Sequence, residues 1–76
     1  MITEREALQR EVGKTCSDNF SPTLRSKLIK VNKNTCTLMI VENEDYPHLN
    51  DPDRAHMIGC TKVEPIWLVA NMFYGV

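Results

Sequence analysis

The chain has 76 residues, with nine Lys or Arg, ten Asp or Glu and a formal net charge of −1. This length corresponds to one domain near the lower size limit for a self-sufficient hydrophobic core, and a 42% hydrophobic content excludes disorder over most of the chain. The small net charge argues against a dedicated, strongly cationic nucleic-acid-binding protein.

Charge is distributed unevenly along the sequence. Residues 1–33 carry seven basic and four acidic residues, whereas residues 34–76 carry two basic and six acidic residues. The sequence is therefore a charge dipole, and the fold decides whether the two charged regions are also separated in space.

A short helix is predicted near the N-terminus. Thr3 followed by Glu6 is a capping-box pattern, which predicts a helix of about ten residues beginning after Thr3. Leu8 and Val12 would share one face of this helix, and Gly13 suits the left-handed residue that ends it. A brief strand and then a loop are expected to follow, at 14–16 and 17–22.

Residues 23–41 predict a β-hairpin. Asn-Lys-Asn at 32–34 is the expected turn, because Asn tolerates positive φ. The return strand, 35–41, is rich in β-branched residues and alternates between two faces. One face is expected to hold Cys36, Leu38 and Ile40, and the other Thr35, Thr37 and Met39.

The second half of the chain begins with a long acidic segment, ENEDYPHLNDPD at 42–53. Loops of this length in compact domains are usually functional or mobile. A strand is predicted over 54–63, with Gly59 marking a bulge or a close backbone approach. Pro65 suits the start of a short helical turn, which Gly75 would end.

Three motifs carry a resemblance to a known family. They are KVNKNT at 30–35, KVEPI at 62–66 and GKTC at 13–16. Together with the order of elements over about residues 12–68, they resemble the small SH3-like β-barrels of the KOW type, many of them short bacterial and phage modules. The acidic loop and an aromatic tail after Pro65 depart from that family pattern.

The resemblance implies a mainly β, α+β fold: a small SH3-like antiparallel barrel with a short N-terminal helix and a short C-terminal helical turn. Residues 1–12 would be the helical lead-in, 13–68 the barrel and 69–76 the aromatic tail. The resemblance also implies a non-catalytic binder of RNA, DNA or proteins.

The residues themselves predict no enzyme, metal site or cofactor. Cys16, Cys36, Cys60, His48 and His56 lack the close Cys or His pairs that zinc sites normally show. No nucleophile motif or Gly-rich phosphate loop is present, so no residue is assigned a catalytic role. The cysteines are expected to be small buried thiols.

Four basic residues on one strand are the candidate nucleic-acid contacts: Arg25, Lys27, Lys30 and Lys33. Three or four phosphate contacts would give weak, salt-sensitive and sequence-independent binding. In a regular strand Lys30 points away from the others unless a bulge intervenes. The alternative is that these residues keep a surface strand soluble and blunt edge pairing.

The candidate protein-binding residues are the loop carboxylates and the aromatic tail: Glu42, Glu44, Asp45, Asp51, Asp53, Trp67, Phe73 and Tyr74. The carboxylates would meet a basic surface, and the rings are of types enriched at interface hot spots. Alternatively the rings close the core, or pair with a second copy in a homodimer.

These patterns predict a non-enzymatic binding module. The first hypothesis is a protein-binding regulator or inhibitor of the kind that phage and mobile elements encode, and the alternative is a nucleic-acid-associated module that uses the basic strand. An odd cysteine count without a signal peptide or membrane-spanning segment favours a soluble cytoplasmic protein.

Overall fold

A computed structural model describes residues 2–75 of the chain. Six elements follow one another: α1 Glu4–Gln9, β1 Thr15–Ser17, β2 Leu24–Val31, β3 Thr35–Asn43, β4 Thr61–Pro65 and α2 Ile66–Tyr74. The predicted α+β class, with an antiparallel sheet and a short helix at each end of the chain, is confirmed. Neither helix has the length and apolar character needed to cross a membrane.

The strands form one antiparallel sheet in the order β1-β2-β3-β4. Each strand pairs with its neighbour in sequence, so β1 and β4 are the two edges. Within residues 2–75 the sheet is therefore open, and the barrel closure that the resemblance implies is not formed. The match to SH3-like barrels stays a prediction.

Both helix starts follow the sequence signals. The Thr3 hydroxyl accepts the N–H of Glu6 at 3.1 Å, which confirms the predicted N-cap. Helix α1 is shorter than expected, and Val12 lies beyond its end and is 43% exposed. Helix α2 begins after Pro65 and ends at Gly75, whose φ of 71° is left-handed, so it crosses the predicted boundary between barrel and tail.

One face of the sheet carries the core. The predicted alternation of β3 is confirmed, with Cys36, Leu38 and Ile40 buried and the residues between them partly exposed. Leu28 of β2 lies opposite Leu38, and both are fully buried. Both helices pack on this core face, α1 through Leu8 and α2 through Val69 and Ala70.

The prediction of a strand over 54–63 is wrong for residues 54–60. Only Thr61 onward is strand, and residues 54–60 form turns. His56 and Gly59 have φ values of 67° and 94°, which extended backbone does not allow. The predicted close approach at Gly59 is confirmed, because a Cβ there would lie 2.8 Å from Asn50 Oδ1.

A buried ion pair links the two edges of the sheet. Asp18 follows edge strand β1, and Lys62 lies on edge strand β4, where it pairs with Leu38 and so points to the core face. The Lys62 ammonium contacts Asp18 Oδ2, and the Asp18 side chain is fully buried. The same carboxylate accepts the Ser26 hydroxyl at 2.6 Å and the N–H of Phe20 at 2.8 Å.

This network changes the acidity of Asp18. Burial acts to raise the pKa of the carboxyl, but hydrogen bonds from Lys62, Ser26 and the Phe20 N–H, with the charge of Lys62, outweigh burial. The pKa of Asp18 is therefore held below its ordinary value of 3.8. A carboxyl with a lowered folded-state pKa stabilises the fold above its unfolded-state pKa and loses that contribution as the pH falls through the folded-state value.

We therefore expect the stability difference between the wild type and Asp18→Asn to depend on pH. The wild type should be the more stable at about pH 6, and the difference should shrink below about pH 4, where Asp18 of the unfolded chain becomes protonated before Asp18 of the folded chain. Urea unfolding followed by circular dichroism across this range measures it. A constant difference down to about pH 3 would contradict the role of the ionised carboxylate.

Candidate functional site

The acidic loop, defined here as residues 42–53, is anchored by one buried amide. Its first two residues, predicted as loop, are the last two of strand β3. Asn43 is 5% exposed, and its Oδ1 accepts the N–H groups of Asp45 at 2.9 Å and Tyr46 at 3.2 Å. Its Nδ2 donates to the carbonyl oxygen of His56 at 2.9 Å. One side chain thus fixes the start of the loop and ties it to the returning chain.

Backbone hydrogen bonds fix the far side of the loop. The N–H of Asp51 donates to the carbonyl oxygen of Ile58 at 3.0 Å, and the N–H of Gly59 donates to that of Ile40 at 2.8 Å. The loop is therefore held to strand β3 at both ends. Sequence reasoning identified its charge but not the Asn43 anchor, although Asn before a polar turn is a recognised signal.

The five loop carboxylates face solvent. Glu42, Glu44, Asp45 and Asp53 are exposed and Asp51 is half-buried. The ion pairs formed among residues 2–75 are Lys14–Glu11 and Lys62–Asp18, so none of the loop carboxylates has a cationic partner there. Glu42 lies opposite Arg25 across the β2–β3 pair, and the other four carboxylates present a concentration of negative charge.

An open groove of about 190 Å³ lies at the base of this loop, lined by Val41, Glu42, Asn43, Glu44, Pro47 and Ile58. Its apolar walls come from Val, Pro and Ile, and two carboxylates stand at its rim. A groove of this size is smaller than the usual small-molecule site, and its dimensions suit a single side chain.

The basic residues lie on the opposite face of the sheet from the core, here called the open face. A bulge in β2 leaves Ile29 unpaired, so that Leu28 pairs with Leu38 and Lys30 pairs with Thr37. Because partners across antiparallel strands share a face, Lys30 joins Arg25 and Lys27. The sequence alone required a bulge for Lys30 to share a face with Arg25 and Lys27, and that bulge is present.

Lys33 is not on the open face, since it lies at the tip of the β2–β3 turn. Arg5 of α1 reaches the same turn, where its Nε donates to the Asn32 carbonyl oxygen at 3.0 Å. The sequence did not single out Arg5, because its position depends on how α1 packs. The turn end of the sheet therefore carries additional positive charge.

The aromatic tail divides into exposed and packed rings. Trp67 is 66% exposed and Tyr74 43% exposed, and they lie two turns apart on the same side of α2. Phe73 is half-buried and packs against the core cluster. The pKa of the Tyr74 hydroxyl is raised, mainly by burial. The charge of Glu11 and a hydrogen bond with Glu11 raise it further.

The acidic loop and Trp67 lie at opposite ends of the sheet. The N–H of Ile66 donates to the Asn34 carbonyl oxygen at 3.2 Å, which fixes the start of α2 at the β2–β3 turn. The acidic loop leaves the far end of β3, a strand of nine residues that spans about 30 Å. The fold therefore does not combine the candidate protein-binding residues into one surface.

The comparisons with known proteins give no match. No family model, no curated protein and no solved structure matches this chain. Conclusions about function therefore rest on the geometry of the acidic loop and the open face.

Cys16 and Cys36 are buried thiols, as predicted, whereas Cys60 is only partly buried. Burial is the largest cause that raises the pKa of the Cys16 thiol to about 11, and burial also raises the pKa of Cys36. Both thiols stay protonated near pH 7 and act as small apolar side chains. Within residues 2–75, no three His, Cys, Asp or Glu side chains are grouped closely enough to hold a metal ion.

Proposed function

We propose that this chain is a small, non-enzymatic module that binds a protein partner with a basic surface and acts as a regulator or inhibitor of it. The observation that carries the proposal is the acidic loop, whose carboxylates form no ion pair among residues 2–75 and whose backbone is fixed at Asp45 and Tyr46 by the buried Asn43 side chain. Concentrated charge of one sign steers a complementary partner and suppresses wrong ones.

The conformational rigidity of the acidic loop affects the affinity for a partner. A flexible acidic segment would lose conformational entropy on binding, whereas a loop already fixed in its bound geometry avoids most of that cost. The Asn43 hydrogen bonds and the close packing of Gly59 against Asn50 supply this preorganisation. The loop therefore has the properties of a recognition surface rather than a linker.

The groove identifies the side chains that the partner would present. Lys and Arg place their aliphatic stems along apolar surface while the charged group stays near solvent. Val41, Pro47 and Ile58 would contact the stem, and Glu42 and Glu44 at the rim would pair with the cation. A partner with an exposed Lys or Arg beside further basic residues fits both the groove and the loop.

Neutralising Glu44 at the groove rim and its loop neighbour Asp45 tests this proposal. In Glu44→Gln/Asp45→Asn the side-chain shapes are kept and two charges are lost. We expect proteins that the immobilised wild type retains at low salt to bind the variant about 2- to 30-fold more weakly, the equivalent of two exposed ion pairs. Quantitative affinity capture followed by salt elution measures the change.

The matched control is Glu4→Gln/Glu6→Gln, which removes the same charge from exposed positions on α1. This variant should retain the proteins that the wild type binds. If the loop variant and the control retain the same proteins equally well, the acidic loop is not the recognition surface. Equal losses in both would assign binding to net charge alone.

A cytoplasmic setting belongs to this proposal. Cys16, Cys36 and Cys60 form no disulfide bond with one another. Unpaired thiols persist where the redox environment is reducing. Mass measurement of the chain isolated from cells under alkylating conditions would show three modified thiols if this assignment is correct.

A further inference from the structure

The open face of the sheet carries positive charge beside exposed apolar side chains. Arg25, Lys27 and Lys30 point to this side from β2, and both helices pack on the other side. Met39 and Val63 lie on the same face, since they occupy the register positions opposite Lys27 and Thr37. Glu42 is also on this face, opposite Arg25.

We propose that the open face binds single-stranded nucleic acid through its phosphates, an activity separate from the protein binding proposed for the acidic loop. Alternate residues on a strand point the same way and are about 6.8 Å apart. The cations of β2 therefore form a row along the open face, and such a row complements a polyanionic backbone. Phosphate contacts of this kind position a strand without reading its sequence.

The exposed apolar side chains near the cations favour a single strand over a duplex. Ile29 is 40% exposed and Val63 is 61% exposed. A duplex presents phosphates outward and keeps its bases stacked inside, so these side chains would have nothing apolar to contact. A single strand has free base faces, which bind to exposed apolar and aromatic groups without sequence preference.

Trp67 supplies the aromatic ring that the basic strand itself lacks. The hydrogen bond from Ile66 to Asn34 holds the start of α2 at the β2–β3 turn, the end of the sheet toward which Lys30 and Lys33 lie. Trp67 is 66% exposed there. Exposed aromatic rings near a basic track are the usual stacking platform for bases. Because α2 packs on the core side of the sheet, we include Trp67 as a contact at the turn end of this site and not on the open face itself.

Fluorescence anisotropy with a labelled thymidine oligonucleotide of about 12 nucleotides tests the proposal. With three phosphate contacts and a salt slope of about −0.7 for each, affinity should fall about 100-fold between about 20 mM and about 200 mM salt. A labelled duplex of the same length should bind more weakly. Absence of binding at the lower salt overturns the proposal, and stronger binding of the duplex overturns the single-strand assignment.

Two sets of variants test whether binding depends on the open face or only on the net charge of the chain. Arg25→Gln/Lys27→Gln/Lys30→Gln should weaken binding at low salt by about 100-fold. The control Arg10→Gln/Lys14→Gln/Arg54→Gln removes the same charge from exposed positions elsewhere and should change affinity by about threefold or less. Equal losses in both triple variants would overturn the assignment to the open face.

Arg25 also donates to the Thr15 hydroxyl at 3.1 Å, so its replacement removes a hydrogen bond within the sheet. A double variant that leaves Arg25 unchanged separates binding from this effect on the fold. Lys27→Gln/Lys30→Gln keeps that bond and should reduce the salt slope from about −2 to about −0.7. An unchanged slope would contradict the phosphate contacts. Trp67→Ala should weaken binding about 5- to 150-fold, and an unchanged affinity would remove Trp67 from the site.

Discussion

Replacing Lys62 by Met is expected to lower the free energy of unfolding by about 3–5 kcal/mol. Met keeps much of the apolar stem but removes the ammonium group, so the Asp18 carboxyl would be left 4% exposed without a cationic partner to offset its burial. The hydrogen bonds from Ser26 and the Phe20 N–H do not replace the lost charge. Urea unfolding at neutral pH, followed by circular dichroism, measures the loss.

This effect is large for a small domain. A chain of 76 residues has a total stability of about 4–11 kcal/mol, so a loss of this size removes at least about a quarter of it. The control is Lys14→Met, because Lys14 pairs with Glu11 at 3.5 Å but its side chain is 65% exposed. Such a surface pair contributes about 0–1 kcal/mol. Similar losses in both variants would show that the Asp18 pair is not buried.

Replacing Leu38 by Ala is expected to lower the free energy of unfolding by about 2–5 kcal/mol, because the change leaves a cavity in the core. Leu38 is fully buried at the centre of the sheet, between β2 and β4, and belongs to the cluster that both helices cover. Thermal or urea unfolding of the purified variant measures the loss.

The neighbouring residue is the natural control for this prediction. Met39 lies one position along the same strand and points to the open face. Met39→Ala should cost about 1 kcal/mol or less, since it leaves no enclosed cavity. If the Met39 variant were the more damaging of the two, the strand register would be displaced by one residue, because such a slip exchanges the two faces.

Local signals in the sequence predicted the elements that depend on local interactions. The Thr3 cap, the two faces of β3 and the left-handed Gly75 follow from a few neighbouring residues. The turn at 32–34 lies where it was predicted, but neither Asn32 nor Asn34 has the positive φ on which that prediction depended. The segment 54–60 was predicted as strand because its apolar residues fit that pattern. The positive φ at His56 depends on how the loop packs, and the sequence gives no sign of it.

The candidate sites depend on distant contacts, and the sequence predicted them less completely. Lys62 resembles any surface lysine on a strand until the fold brings Asp18 to it across the sheet. The direction of Lys30 depended on a bulge that only the pairing register reveals. The distance between the acidic loop and Trp67 follows from where α2 begins, which no motif encodes.

The edges of the sheet have a consequence for how the chain behaves at high concentration. An exposed strand edge offers unpaired N–H and C=O groups to another molecule, and short edge strands, prolines and inward-pointing charges discourage that association. Here β1 has three residues, while β4 ends at Pro65 and turns the charge of Lys62 inward. The chain is therefore protected against edge-to-edge aggregation, even though one side of its sheet is left uncovered.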